Sequence, residues 1–119
     1  MPHIRVELSA NIARPGRIKA FLTELVDTLG RAESIQPTAI KAYLNVREHF
    51  AMHPEGPAGF AHVEVSLLRG RPVELRLQIA QEMRRRVAEE FAEKVAQGEL
   101  AITVEIREMD TETYLRNET

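Results

Sequence analysis

The stretch Ala61-His62-Val63-Glu64-Val65-Ser66-Leu67-Leu68-Arg69-Gly70-Arg71-Pro72 decides the fold. Ala61, Val63, Val65 and Leu67 fall on one side, and His62, Glu64 and Ser66 on the other. A period of two is the signature of a strand with one buried face. Gly70-Arg71-Pro72 then breaks the strand, and proline favours the first turn of a helix. Downstream, Ile79, Met83, Val87, Phe91 and Val95 recur at helical spacing. They predict one long helix to about Ala96, stopped by Gly98. Leu100, Ile102, Val104 and Ile106 alternate again and predict a closing strand.

Upstream the same order appears. Ile4, Val6 and Leu8 alternate with Arg5, Glu7 and Ser9, which predicts a strand. Pro15-Gly16 marks a turn. Ile18, Phe21, Leu22, Leu25, Val26 and Leu29 form one apolar helical face, with Gly30 as the expected stop. Ile40, Ala42, Leu44 and Val46 predict a strand, and the Pro- and Gly-rich run from His53 to Gly59 a turn. The order is β-α-β-β-α-β. Arg14-Pro15 recurs as Arg71-Pro72, and the same offset sets Val6-Glu7-Leu8-Ser9 on Val63-Glu64-Val65-Ser66. The expectation is an α+β fold built from a duplicated β-α-β unit, about residues 2–56 and 57–108, in a single domain spanning 1–119. Each unit carries a crossover helix, so its two strands should run parallel. The result is a four-stranded mixed sheet with two helices on one face. The other face would carry Arg5, Glu7, Lys41, Asn45, His62, Glu64, Glu105 and Arg107. Such a face is either solvated or meets its copies across a symmetric oligomer; the exposed edges of a one-layer sheet favour the oligomer.

Composition narrows the function classes. The chain has 119 residues, a net charge of -2 and no cysteine. Near-neutral charge argues against a nucleic-acid or membrane-surface binder. Without cysteine, disulfides, thiolate catalysis and Cys-ligated metals are excluded. Arg5, Glu7, Arg14 and Arg17 interrupt the first 30 residues, so no signal peptide or membrane span is expected there and a cytoplasmic location follows. Arg84-Arg85-Arg86 is surrounded by Glu82, Glu89, Glu90 and Glu93 and reads as an ion-paired helix face. His49 and His53 have helical metal-ligand spacing but lie at a strand end before Pro54, and no metal is expected. His3 and His62 read as hydrogen-bonded strand residues, and the methionines as core filler.

Two residues carry the chemical argument. Pro2 follows the initiator, and a small second residue generally permits removal of Met1. The product is a free secondary amine. An α-amino group titrates near ~8, so part of it is neutral near pH 7. Burial or nearby cations lower its pKa further, which makes it a good general base. Without that removal the nitrogen is an amide and has no basic lone pair. From the dipeptide alone, a plain start residue is the commoner reading. The strand beginning at His3 and the placement of Arg71 weigh against that. Arg71 stands beside the start of the long helix, where backbone N–H groups favour anions and Gly70 lets the chain approach closely. It could hold a carboxylate or a developing enolate, or be a water-screened surface arginine.

The opening Met1-Pro2-His3-Ile4 with Glu7, Ser9 and Asn11, and the segment Phe60-Ala61-His62 running to Gly70-Arg71, resemble the 5-carboxymethyl-2-hydroxymuconate isomerase family of the tautomerase superfamily. The resemblance spans nearly the whole chain. It implies a homotrimer of fused β-α-β units with active sites near subunit boundaries. It further implies Pro2 as catalytic base, Arg71 as partner of a substrate carboxylate or enolate, a small-molecule carboxylate substrate, and no cofactor. Where the family pattern has a second arginine, this chain has Lys41, which keeps the charge but loses the bidentate fork. Lys41 is therefore a candidate substrate-binding residue, or a solvated strand lysine. The implied reaction moves a proton from the 2-hydroxyl of a dienol to carbon. Two alternatives stand beside it: a tautomerase of another 2-hydroxydienoate or enol-pyruvate substrate, and a non-catalytic trimeric module with this fold.

Overall fold

The computed structural model describes residues 2–118. Strand β1 (His3–Ser9) is followed by a 3-10 turn at Pro15–Arg17 and helix α1 (Ile18–Gly30). A second 3-10 turn, Pro37–Ala39, leads into β2 (Lys41–Arg47). After an irregular loop come β3 (Gly59–Leu68), α2 (Val73–Glu90), the short α3 (Ala92–Ala96) and β4 (Leu100–Met109). The strands lie in the order β2-β1-β3-β4. β1 and β2 are parallel, as are β3 and β4, whereas β1 and β3 are antiparallel. This is the mixed sheet expected from two crossover units joined at their first strands.

Alternation decides which face is buried. Ile4, Val6 and Leu8 of β1 and Ala61, Val63, Val65 and Leu67 of β3 are almost fully excluded from water. They meet Phe21, Leu25 and Leu29 of α1 and Ile79, Met83 and Val87 of α2. Burial of this apolar area is the main favourable term for the fold. The edge strands contribute less, and Ala42, Leu44, Ile102 and Val104 are only half-buried.

One expectation is corrected. The long helix does not run unbroken to Ala96. It breaks at Phe91, whose backbone (φ -113, ψ 36) leaves the helical region, and α3 restarts beyond it. Phe91 packs edge-on against Phe21 at 5.7 Å, while Val95 is left 40% exposed, off the buried stripe. Gly98, with φ +70, ends α3. Helix α1 stops at Gly30, as expected, without a left-handed residue there; the one non-glycine residue with positive φ among those described is Ser34, at φ 65. Gly30 is instead a close-approach position, since a Cβ there would lie 3.3 Å from the Pro37 side chain. No described helix is long and apolar enough to cross a membrane.

Candidate active site

Pro2 directly precedes β1 and is buried. Its carbonyl accepts a hydrogen bond from the Lys41 N–H at 3.1 Å. The next residue, His3, is paired with Lys41 on one side and Ser66 on the other. The start of β1 therefore adjoins the start of β2 and the end of β3. Arg71 lies three residues past Leu68, the last residue of β3. The topology thus brings Pro2, Lys41 and Arg71 to one end of the sheet, although the first and last are 69 positions apart. Met1, whose removal would free the Pro2 amine, lies outside the described residues.

Arg71 is half-buried and held by neutral acceptors. Its Nε donates to Ser34 Oγ at 3.0 Å, one terminal nitrogen to the Leu68 carbonyl at 3.2 Å, and the other to the Ser34 carbonyl at 3.0 Å. A guanidinium has five donors, so two remain for a ligand. No carboxylate neutralises Arg71 among the described residues. Gly70, at φ +125, makes the turn that sets Arg71 there, a conformation L side chains rarely adopt. The helix cap is Pro72 and α2 begins at Val73, so Arg71 stands one residue before the cap.

Lys41 Nζ reaches only the Ala39 carbonyl, at 3.4 Å, and is otherwise exposed. It lines a cleft of about 290 Å³ with Gln36, Thr38, Ala39, Tyr114, Arg116 and Asn117. Pro2 and Arg71 do not line this cleft. Two groups here carried no sequence signal. Ser34 is a lone polar loop residue, and the tail residues 114–117 have no periodicity. The tail is nevertheless anchored: Tyr114 Oη lies 2.8 Å from His3 Nε2, with the rings edge-on at 5.8 Å. Burial and then the Lys41 charge hold the His3 pKa below the ordinary imidazole value.

The sheet face away from the helices carries the expected polar residues, laced across strands. Arg5 pairs with Glu64 at 2.6 Å, and Arg47 with Glu7 at 2.5 Å. Burial opposes ionisation of Glu7, but hydrogen bonds from Arg47 and Asn45 and the charges of Arg47 and Arg5 outweigh it and lower its pKa. His62, Glu64 and Glu105 come together on this face with ligand atoms within 4.8 Å of one another. Glu64 is already held by Arg5 and, at 3.8 Å, by Arg107, while His62 shares a 2.6 Å hydrogen bond with Thr103. This is an ion-paired surface, poorly suited to a metal cation. His49 and His53 lie in irregular chain, and His53 Nδ1 accepts from the Glu55 N–H at 3.1 Å. Arg86 pairs with Glu24, Glu89 and Glu90, as expected of a charged helix face.

Known structures share this architecture. A 5-carboxymethyl-2-hydroxymuconate isomerase from Deinococcus radiodurans R1 superposes with a TM-score of 0.86 at 22% identity, over 99% of this chain and 90% of that one. A 5-carboxymethyl-2-hydroxymuconate delta-isomerase superposes with a TM-score of 0.84 at 18% identity, over 100% and 89%. A fused 4-OT described as a symmetric trimer gives 0.75 at 18% identity, over 98% and 92%. These likenesses establish the tautomerase-like fold. No curated protein sequence matches the chain. The family model for 5-carboxymethyl-2-hydroxymuconate isomerase matches residues 2–119. The chain therefore belongs to the 5-carboxymethyl-2-hydroxymuconate isomerase family and is an isomerase of that type.

Proposed function

We propose that the protein is a cofactor-independent tautomerase of 5-carboxymethyl-2-hydroxymuconate-type substrates, with Pro2 as its base once Met1 is removed. The observation that carries this reading is Arg71 itself. It is oriented by one hydroxyl and two carbonyls, has no counter-ion among the described residues, and is set at the sheet end that holds Pro2. An enzyme that must stabilise a developing anion needs such a preorganised, uncompensated cation.

The reaction follows from these parts. Neutral Pro2 takes the proton from the 2-hydroxyl of the dienol. Negative charge spreads over a dienolate, which Arg71 and Lys41 stabilise. The protonated Pro2 then returns the proton to a distant carbon and gives the conjugated ketone. The buried position of Pro2 disfavours an ammonium, which supports a base that is partly neutral near pH 7. Lys41 offers a point charge where a bidentate contact would be expected, which favours related 2-hydroxydienoates as additional substrates.

The test is Pro2→Ala, assayed by the ultraviolet change on ketonisation of 2-hydroxymuconate-type substrates. Turnover should fall by about 10²-fold or more, the range for removing a general acid–base. The melting temperature should shift little, because Pro2 donates no backbone hydrogen bond and the carbonyl bond to Lys41 survives. Unchanged turnover would leave the non-catalytic module as the better description. A mass spectrum of the intact protein should show a chain lacking Met1.

A further inference from the structure

We propose that the C-terminal segment belongs to the substrate site, and that Arg116 binds a second carboxylate of a polycarboxylate substrate opposite Lys41. The proposal rests on the reading that the substrate carries several carboxylates, and it extends that site to residues no motif marks.

Three observations converge. The first is placement. β4 is one edge of the sheet and β2 the other. From Met109 the chain leaves β4, yet Tyr114 reaches His3 on β1, and residues 114, 116 and 117 line the cleft beside β2. The tail thus crosses the sheet end where Pro2 and Lys41 meet. The second is charge. Arg116 is exposed and has no carboxylate or other polar partner among the described residues, and Lys41 touches only a carbonyl. Two cations without a carboxylate partner among the described residues therefore line one cleft of about 290 Å³. That is near the lower limit for small-ligand pockets, roughly 300 Å³. Among the described residues no acidic side chain lines it. The third is anchorage. The Tyr114–His3 hydrogen bond and ring contact fix the tail two residues before Arg116, and the Tyr114 N–H donates to the Asp110 carbonyl at 3.2 Å. The anchored backbone sets Arg116 beside the cleft, and its guanidinium offers a planar fork that Lys41 lacks.

The experiment measures binding without turnover. The probes are tricarballylate, a saturated tricarboxylate, and butyrate, a monocarboxylate, titrated calorimetrically into the full chain. Arg116→Gln should weaken tricarballylate binding about tenfold, the loss expected for a charge-assisted contact. It should leave butyrate unchanged, and Arg116→Lys should recover part of the loss. Tyr114→Ala should reproduce most of the effect by releasing the tail, and Tyr114→Phe, which keeps the ring contact, less of it. Turnover of Pro2→Ala reports on the proton-transfer reading, whereas this proposal is read from tricarballylate binding by Arg116→Gln, so failure of one is distinguishable from failure of the other. Equal tricarballylate affinity in Arg116→Gln and the native chain would overturn the proposal. So would an equal loss for both probes, which would mark a general field effect, and so would no tricarballylate binding by the native chain.

Discussion

His3 stands at the start of the sheet, beside the Lys41 charge and the Tyr114 hydroxyl. Partial burial and the cation both favour the neutral ring, so its folded pKa lies below the ordinary value of 6.5. The neutral ring can accept from the tyrosine O–H at Nε2, the arrangement that ties down the tail. Lys41→Met should therefore move the NMR titration midpoint of His3 upward, yet leave it below 6.5, because burial remains. The stability linkage has a definite sign. The unfolded chain binds the proton first, so the contribution of His3 is whole above 6.5 and declines as pH falls through the lower folded value. At this scale Pro2 and Arg71 stand out in the sequence, since a penultimate proline and a Gly-Arg-Pro break are local signals. Ser34 does not, because its role depends on an arginine 37 positions away.

Helices α1 and α2 are joined by charge as well as by packing. Glu90, at the last turn of α2, has a side chain only 3% exposed. Arg17 grips both of its oxygens, at 3.1 and 2.9 Å, and Arg86 adds a third contact at 3.2 Å. Glu90 first and Glu24 second push the Arg17 guanidinium pKa up, and hydrogen bonds from Arg86 and Arg17 lower that of Glu24. Breaking a fully buried pair costs about 3–5 kcal/mol. Here the arginines reach water and can be rehydrated, so Glu90→Gln should cost less, roughly 1–3 kcal/mol. Urea denaturation should show this as a lower midpoint with an unchanged slope. The break at Phe91 lies beside this cluster. The helical period continues through Val95, and no glycine or proline interrupts it, so nothing local foretells the break. It appears where Phe91 packs against Phe21 of the other helix.

At the scale of the molecule, helices cover one face of the sheet and β2 and β4 are left as edges. The second face is neither apolar nor simply hydrated. Its arginines and glutamates are paired across strands, and Arg5 Nε is buried without a hydrogen-bond partner. Unpaired edges are a liability that self-association removes, and closed homo-oligomers are the usual outcome. We propose a homotrimer, in keeping with the symmetric trimers named among the structural neighbours. Sedimentation equilibrium should then give a single species of three chain masses. A monomer at micromolar concentration would contradict it.

Alternation and helical spacing are properties of residues two to four apart, so the amino-acid sequence alone determined the element order, the buried face of each strand and the polar opposite face. It also marked Pro2, Lys41 and Arg71 one at a time. Only the tertiary structure decided that these three share one sheet end, that Ser34 orients Arg71, and that Tyr114 returns to His3 across 111 positions. Such contacts depend on strand order and register, which arise when the whole core packs at once and which no short window of the chain contains.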